Sequence, residues 1–199
     1  MSHTKYTTRA FVLKTKNSGE ADKTAFLFSE DFGLLRAFAK SVRKDGAKLK
    51  PYCQNGIFLN ATVIKGREIW RFIEGECEEF SHLSFPKRRV KEKVFGLALS
   101  LSGEEEKNYR VFETLDFFVK KIEKEENENL EALEVVTVLR LLDALGYGKP
   151  LESFAVSMEG EITDSDVLNT KTNIKKLIPL INESLQATHL VVNKKNFLI

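Results

Sequence analysis

The chain has 199 residues, 42% of them hydrophobic and 30% charged, with a net charge of only +2. That length suits one large domain or two small ones, the composition is that of a folded chain, and no apolar run approaches the roughly 20 residues a membrane span needs. Two cysteines, Cys53 and Cys77, stand far apart and outside any CxxC or His-x-x-His spacing, so no metal centre is expected.

The first residues, MSHTKYTTRAFVLK, enter an alternating pattern at once and show no apolar signal region. The expected location is cytoplasmic, where both cysteines read as buried, reduced thiols. The surplus of positive charge falls before Phe80, and secondary-structure character changes near Ser81 to Pro86, from short alternating runs to helical spacing. This places one domain at 1–80 and a second at 81–199.

The first strand is predicted over Thr7 to Lys16, with Arg9, Phe11, Leu13 and Thr15 on one face and Thr8, Ala10, Val12 and Lys14 on the other. Asn17 to Gly19 make a turn into a second strand, Lys23 to Ser29, and Glu30 to Gly33 turn again. The third strand, Leu34 to Lys40, sets Leu34, Arg36, Phe38 and Lys40 against Leu35, Ala37 and Ala39. If the alanine-rich face packs inward, Arg36, Phe38 and Lys40 form an exposed row of cation, ring and cation, suited to phosphates and a stacked base. The competing reading makes Phe38 a core residue over which the lysine stems lie. Directly afterwards comes a loop with Arg43, Lys44, Lys48 and Lys50 against the single acid Asp45. Such a cluster is selected by a polyanion, although a merely solvated loop has the same composition. Gln54 to Ile64 and Glu68 to Phe80 form a last hairpin. Five short strands with a long third connection fit a small closed barrel of the OB-fold type, a count shared with SH3-like barrels.

The remainder reads as helices: Phe85 to Leu101, opened by the basic run Lys87 to Lys93; Tyr109 to Glu123; Leu130 to Leu145; and Asn173 to Ala187, interrupted near Pro179. Glu123 to Glu128 is expected to be a solvated link, and 189–199 an apolar, lysine-containing end. The fold class is therefore α+β, a mainly β N-terminal part followed by an all-α C-terminal part. No catalytic constellation is found. His3, His82 and His189 lack HExxH spacing, there is no nucleophile elbow, and the glycines build no phosphate loop. Neither enzyme activity nor a cofactor is expected.

The order of segments FVLKTKNSGEADK (11–23), LFSEDFGLLRAFAKSVRK (27–44), LKPYCQ (49–54), LRLLDALGYGKPLESF (139–154) and the tail THLVVNKKNFLI resembles the bacterial DNA repair and recombination mediator family RecO. The resemblance runs over nearly the whole chain. It implies an N-terminal OB-fold and a helical C-terminal domain, binding of single- and double-stranded DNA, strand annealing, and loading of RecA in concert with RecR onto DNA covered by single-stranded DNA-binding protein. The family's four-cysteine zinc module has no counterpart, because Leu151 to Asp164 contains no cysteine, and the chain is shorter than typical members. The resemblance also implies a seat for the acidic, apolar-ended tail of the single-stranded DNA-binding protein, and Leu139, Arg140 and Leu142 are the candidate, with a structural ion pair as the other reading of Arg140. The expected mechanism is electrostatic: Arg36, Lys40, Arg43, Lys44, Lys48 and Lys50, with Lys14, Lys16 and Lys23 near the first turn, screen repulsion between two strands without reading sequence. An adaptor working through the helical domain, or an RNA-binding OB protein, are the alternatives.

Overall fold

The computed structural model describes residues 4–77, 82–148 and 154–188. The tail at 189–199, His3 and His189, the strand end at Phe80 and the start of the cysteine-free stretch lie outside these residues. The chain divides into two compact units: residues 1–82 with Ser102–Tyr109, and Leu83–Leu101 with the residues from Arg110 onward.

The first unit is a closed barrel of five strands: β1 (Lys5–Ser18), β2 (Asp22–Ser29), β3 (Gly33–Ala39), β4 (Phe58–Lys65) and β5 (Trp70–Glu76), in the order β1-β2-β3-β5-β4. All pairings are antiparallel except β3 with β5, where Ala37 opposes Trp70 and Phe38 opposes Arg71. This order and the single parallel closure are those of an OB-fold, and closing the sheet removes most of the open edge an isolated sheet would expose. The core follows strand alternation: Ala10, Val12, Ala25, Leu27, Leu35, Ala37, Ala39, Leu59, Ala61, Val63, Trp70 and Phe72 point inward. Against it pack Tyr6 and Phe32, with the Tyr6 ring edge-on to both Phe32 and Trp70.

Alternation along β1 does not continue as the sequence predicts. The register shifts between Val12 and Lys14, a bulge at Leu13. One residue inserted into a strand flips every later side chain. Lys14 therefore leaves the Ala10–Val12 face expected for it and stands on the outer face, opposite Phe26.

Ser102–Tyr109 returns to the barrel, although it lies between two helices in sequence. The Glu105 N–H donates to the Leu34 carbonyl at 2.8 Å, and Lys65 pairs with the Glu105 carboxylate at 2.6 Å. Gly33 makes this approach sterically available. Its φ is +67°, and a Cβ there would lie 1.9 Å from the Glu106 carbonyl oxygen.

The second unit contains α1 (Phe85–Leu101), most of α2 (Tyr109–Lys124), α3 (Leu130–Ala144) and α4 (Asp164–Ala187), with α3 packed against α1 and α4. Three expectations need correction. The last helix begins at Asp164 rather than Asn173, because Thr163 and Asp166 form a reciprocal capping box. Nor does Pro179 interrupt it: Pro179 and Lys175 both lie on its exposed side, so the carbonyl that loses its N–H partner faces water. Glu123–Glu128 is likewise not merely a solvated link. It includes a short 3-10 turn, and Glu125 is buried between Lys121 and Asn129, at 3.1 and 2.9 Å.

Candidate nucleic-acid interface

The outer face of β1, β2 and β3 changes character along the strands. At one end Phe11, Phe28 and Leu34 lie side by side across the sheet and are buried, with Phe11 stacked on Phe58 at 4.6 Å between ring centroids. Past the bulge the next row is Lys14, Phe26 and Arg36. The row after that is Lys16, Thr24, Phe38 and, across the parallel closure, Arg71. Lys14, Lys16, Arg36, Lys40 and Arg71 are exposed, while Phe26 and Phe38 are half-buried with one side open.

Two rings thus sit in a lattice of cations. The Lys16 ammonium lies 5.5 Å from the Phe26 ring centroid, which orients the charge beside the ring rather than burying it. Phe38 is not a core residue, because Leu35, Ala37 and Ala39 fill the inner face of β3 as its alternation requires. Phe26 and Arg71 join the surface in addition to the expected residues. Only the β1–β2–β3 register sets Phe26 between Lys14 and Arg36, and only the parallel closure brings Arg71 beside Phe38.

The long connection from Lys40 to Ile57 is not a loose loop. Consecutive turns fold it, from Lys44 N–H to Ser41 carbonyl through Cys53 N–H to Leu49 carbonyl, and Val42 and Cys53 enter the barrel core with Leu49 and Tyr52 packed against it. Burial accordingly pushes the Cys53 thiol up from its ordinary value. Several bonds tie the loop to the turn between β1 and β2. The Ser41 N–H donates to the Asp22 carboxylate at 2.5 Å, the Arg43 N–H to the Ala21 carbonyl at 2.8 Å, and the Arg43 guanidinium to the Gly19 carbonyl at 3.2 Å. Lys23 donates to the Cys53 carbonyl at 3.1 Å, and the Asn55 carboxamide accepts from both the N–H and the hydroxyl of Thr15.

The expected cations therefore fall into two groups. Lys23 and Arg43 donate inside the barrel unit and hold the loop, whereas Lys44 and Lys48 project outward, as does Lys50, which makes a 3.5 Å pair with Asp45. Among the described residues Arg36, Lys40, Lys44 and Lys48 make no ion pair, so their charge is available to a ligand.

The seat expected at Leu139, Arg140 and Leu142 is not on the surface. All three are buried, and the guanidinium of Arg140 donates to the Ser157, Gly160 and Glu161 carbonyls at 2.9, 2.5 and 3.3 Å and to the Asp166 carboxylate at 3.3 Å. Arg140 is the post on which 157–161 is wound. Beside it opens a cavity of about 270 Å³ lined by Arg110, Glu113, Phe117, Met158 and Glu159, where Arg110 pairs with Asp143 at 2.6 Å. The basic run at the start of α1 is also partly internal. Lys91 is buried with its ammonium 5.6 Å from the Phe95 ring centroid, and burial lowers its pKa. Among the described residues no group of three or more His, Cys, Asp or Glu could hold a metal ion, and no helix is long and apolar enough to cross a membrane.

Residues 1–80 match the family described as "Recombination protein O N terminal". The chain is 30% identical over 166 residues to a DNA repair protein RecO of Caldanaerobacter subterraneus subsp. tengcongensis, covering 75% of this chain and 61% of that one. It is 28% identical over 156 residues to a DNA repair protein RecO of Dehalococcoides mccartyi, covering 75% and 60%. A DNA repair protein RecO of Alkaliphilus metalliredigens is 28% identical over 149 residues, covering 73% and 60%. The chain thus spans about 60% of the length of these curated relatives.

Proposed function

We propose that the chain is a DNA-binding recombination mediator, because residues 1–80 match the recombination protein O N-terminal family and 75% of the chain is similar to DNA repair proteins RecO. The observation that carries this reading is the open half of the barrel's outer face, where Phe26 and Phe38 stand among Lys14, Lys16, Arg36, Lys40 and Arg71. Single-stranded DNA fits such a surface: rings accept stacked bases of any identity, and cations meet the phosphates between them. The cations also screen repulsion between two strands, which supports pairing of complementary DNA; duplex DNA would engage the same charges without the stacking.

In this reading the protein anneals complementary strands and, with RecR, assists loading of RecA onto DNA covered by single-stranded DNA-binding protein. The acidic, apolar-ended tail of that protein would meet the helical unit at the cavity beside Arg110, Phe117 and Met158, in place of the buried Leu139, Arg140 and Leu142.

The test is binding of a fluorescent single-stranded DNA oligonucleotide over a salt series, with Arg36→Glu/Lys40→Glu alongside. Both residues are exposed, so stability is expected to stay within about 0.5 kcal/mol. Affinity is expected to fall steeply with salt for the unaltered protein, and the slope to be shallower by about 2 in the variant. Absence of binding at low salt by the folded protein overturns the DNA reading and favours an adaptor acting through the helical unit. Preference for a matched RNA in competition would replace DNA by RNA as the ligand.

A further inference from the structure

An acidic side chain inside a surface meant for a polyanion needs a reason, because its charge repels the ligand. Asp22 is such a residue. It opens β2 next to Lys23, and its carboxylate accepts from the N–H of Ser41, the first residue after β3 and Lys40. Ser41 has φ of 55°, in the left-handed region that a residue with a Cβ enters only when its surroundings hold it there. Two residues later the backbone N–H of Arg43 reaches the Ala21 carbonyl and its guanidinium the Gly19 carbonyl. The strained residue is thus the point where the chain leaves the sheet and starts the cationic loop, and the turn between β1 and β2 holds it from outside.

We propose that Asp22 is a positioning residue of the nucleic-acid surface: by fixing Ser41 in its left-handed conformation it sets where Lys44, Lys48 and Lys50 stand relative to the rings and cations of the sheet. This rests on the DNA reading above and adds to it a device that makes the loop's charges pre-ordered. Without the carboxylate, Ser41 relaxes toward negative φ, the loop samples other directions, and apparent affinity falls by the fraction of time the competent arrangement is lost. Electrostatics alone demands the opposite. Removing an acid from a polyanion site raises affinity.

Two substitutions separate these effects, since Asp22→Asn and Asp22→Ala remove the same charge while only Asn keeps an oxygen that accepts from Ser41. Single-stranded DNA binding at one salt concentration is measured for both, together with hydrogen exchange of the Ser41 and Arg43 amides in the free proteins. Asp22→Asn is expected to bind as tightly as the unaltered protein or more tightly, and Asp22→Ala about three- to tenfold more weakly than Asp22→Asn. The two amides are expected to lose protection in Asp22→Ala only, while core amides of β2 and β3 stay protected. Equal binding by the two variants, or an unchanged Ser41 amide in Asp22→Ala, overturns the positioning role while leaving the DNA reading in place. Absence of binding by the unaltered protein overturns the DNA reading and with it the role given to Asp22, whatever the amides show.

Discussion

The two units hold comparable supplies of positive charge, and the cations buried in the one contrast with those left in solvent on the outer face of the other. In the helical unit Arg140, Lys91, Lys93 and Lys121 are drawn inward: Arg140 onto three carbonyls and Asp166, Lys91 against Phe95, Lys93 onto Glu134, and Lys121 onto Glu125 and Asp164. In the barrel Arg36, Lys40, Lys44 and Lys48 reach into solvent without an ion pair among the described residues. The difference teaches that counting cations along a sequence does not locate a binding surface. What locates it is the absence of internal acceptors. A buried carbonyl or carboxylate captures a guanidinium because leaving either group unpaired is costly, whereas Arg36 and Lys40 stand on the outer side of paired strands, whose own carbonyls are engaged in the sheet.

The sharpest way to break the comparison is to treat a helical-unit cation as though it were a surface one. Arg140→Ala would leave Asp166 buried without its guanidinium and strip three carbonyls of donors. Loss of about 3–5 kcal/mol is expected in denaturant unfolding, the scale for removing one partner of a buried charge pair. A loss below about 1 kcal/mol would place Arg140 among ordinary surface arginines. Lys91→Met is expected to act in the other direction and more weakly. It keeps an unbranched stem against Phe95 and removes an ammonium that burial disfavours, so unfolding should require more denaturant, by about 1 kcal/mol. The same substitution at exposed Lys40 should leave stability nearly unchanged.

Much of this division could not be read from the residues alone. The alternation Leu35, Ala37, Ala39 against Arg36 and Phe38 was legible, because strand periodicity assigns faces wherever pairing is regular. It failed at Leu13, since a bulge is a property of two strands and not of one, and there the pattern assigned Lys14 to the wrong face. That Arg71 neighbours Phe38 was not legible, because it depends on the parallel closure. In the helical unit Leu139, Arg140 and Leu142 share the stripe of a core helix, and the pattern could not reveal that 157–161 would wind its carbonyls around the one cation among them. The early start of the last helix was written in Thr163 and Asp166, three residues apart, but the apolar stripe that signals a helix is weak over its first turns.

The finest distinction between the units lies in Glu134, whose carboxylate is 3% exposed and pairs with Lys93 at 3.1 Å. Burial, the largest influence, and the neighbouring Glu131 push its pKa above the ordinary 4.5, while Lys93 pulls it down without cancelling the rise. A carboxyl whose folded pKa is raised binds its proton more tightly when folded than when unfolded. Its contribution is therefore fully present below about pH 4.5 and is lost as pH rises through the raised value. Glu134→Gln imitates the protonated form and should remove that dependence. Denaturant unfolding of both proteins across this range should give a variant close to the unaltered protein at the acid end and more stable than it near neutrality. If Lys93 outweighs burial, the divergence has the opposite sign, with the unaltered protein the more stable at neutral pH. Glu134 would then be a net stabilising ion-pair partner, like the half-buried Glu30 that Arg9 grips with two hydrogen bonds and whose pKa is lowered. The sign of one difference thus decides whether burying charge in the helical unit costs stability, as its 3% exposure argues, or adds to it.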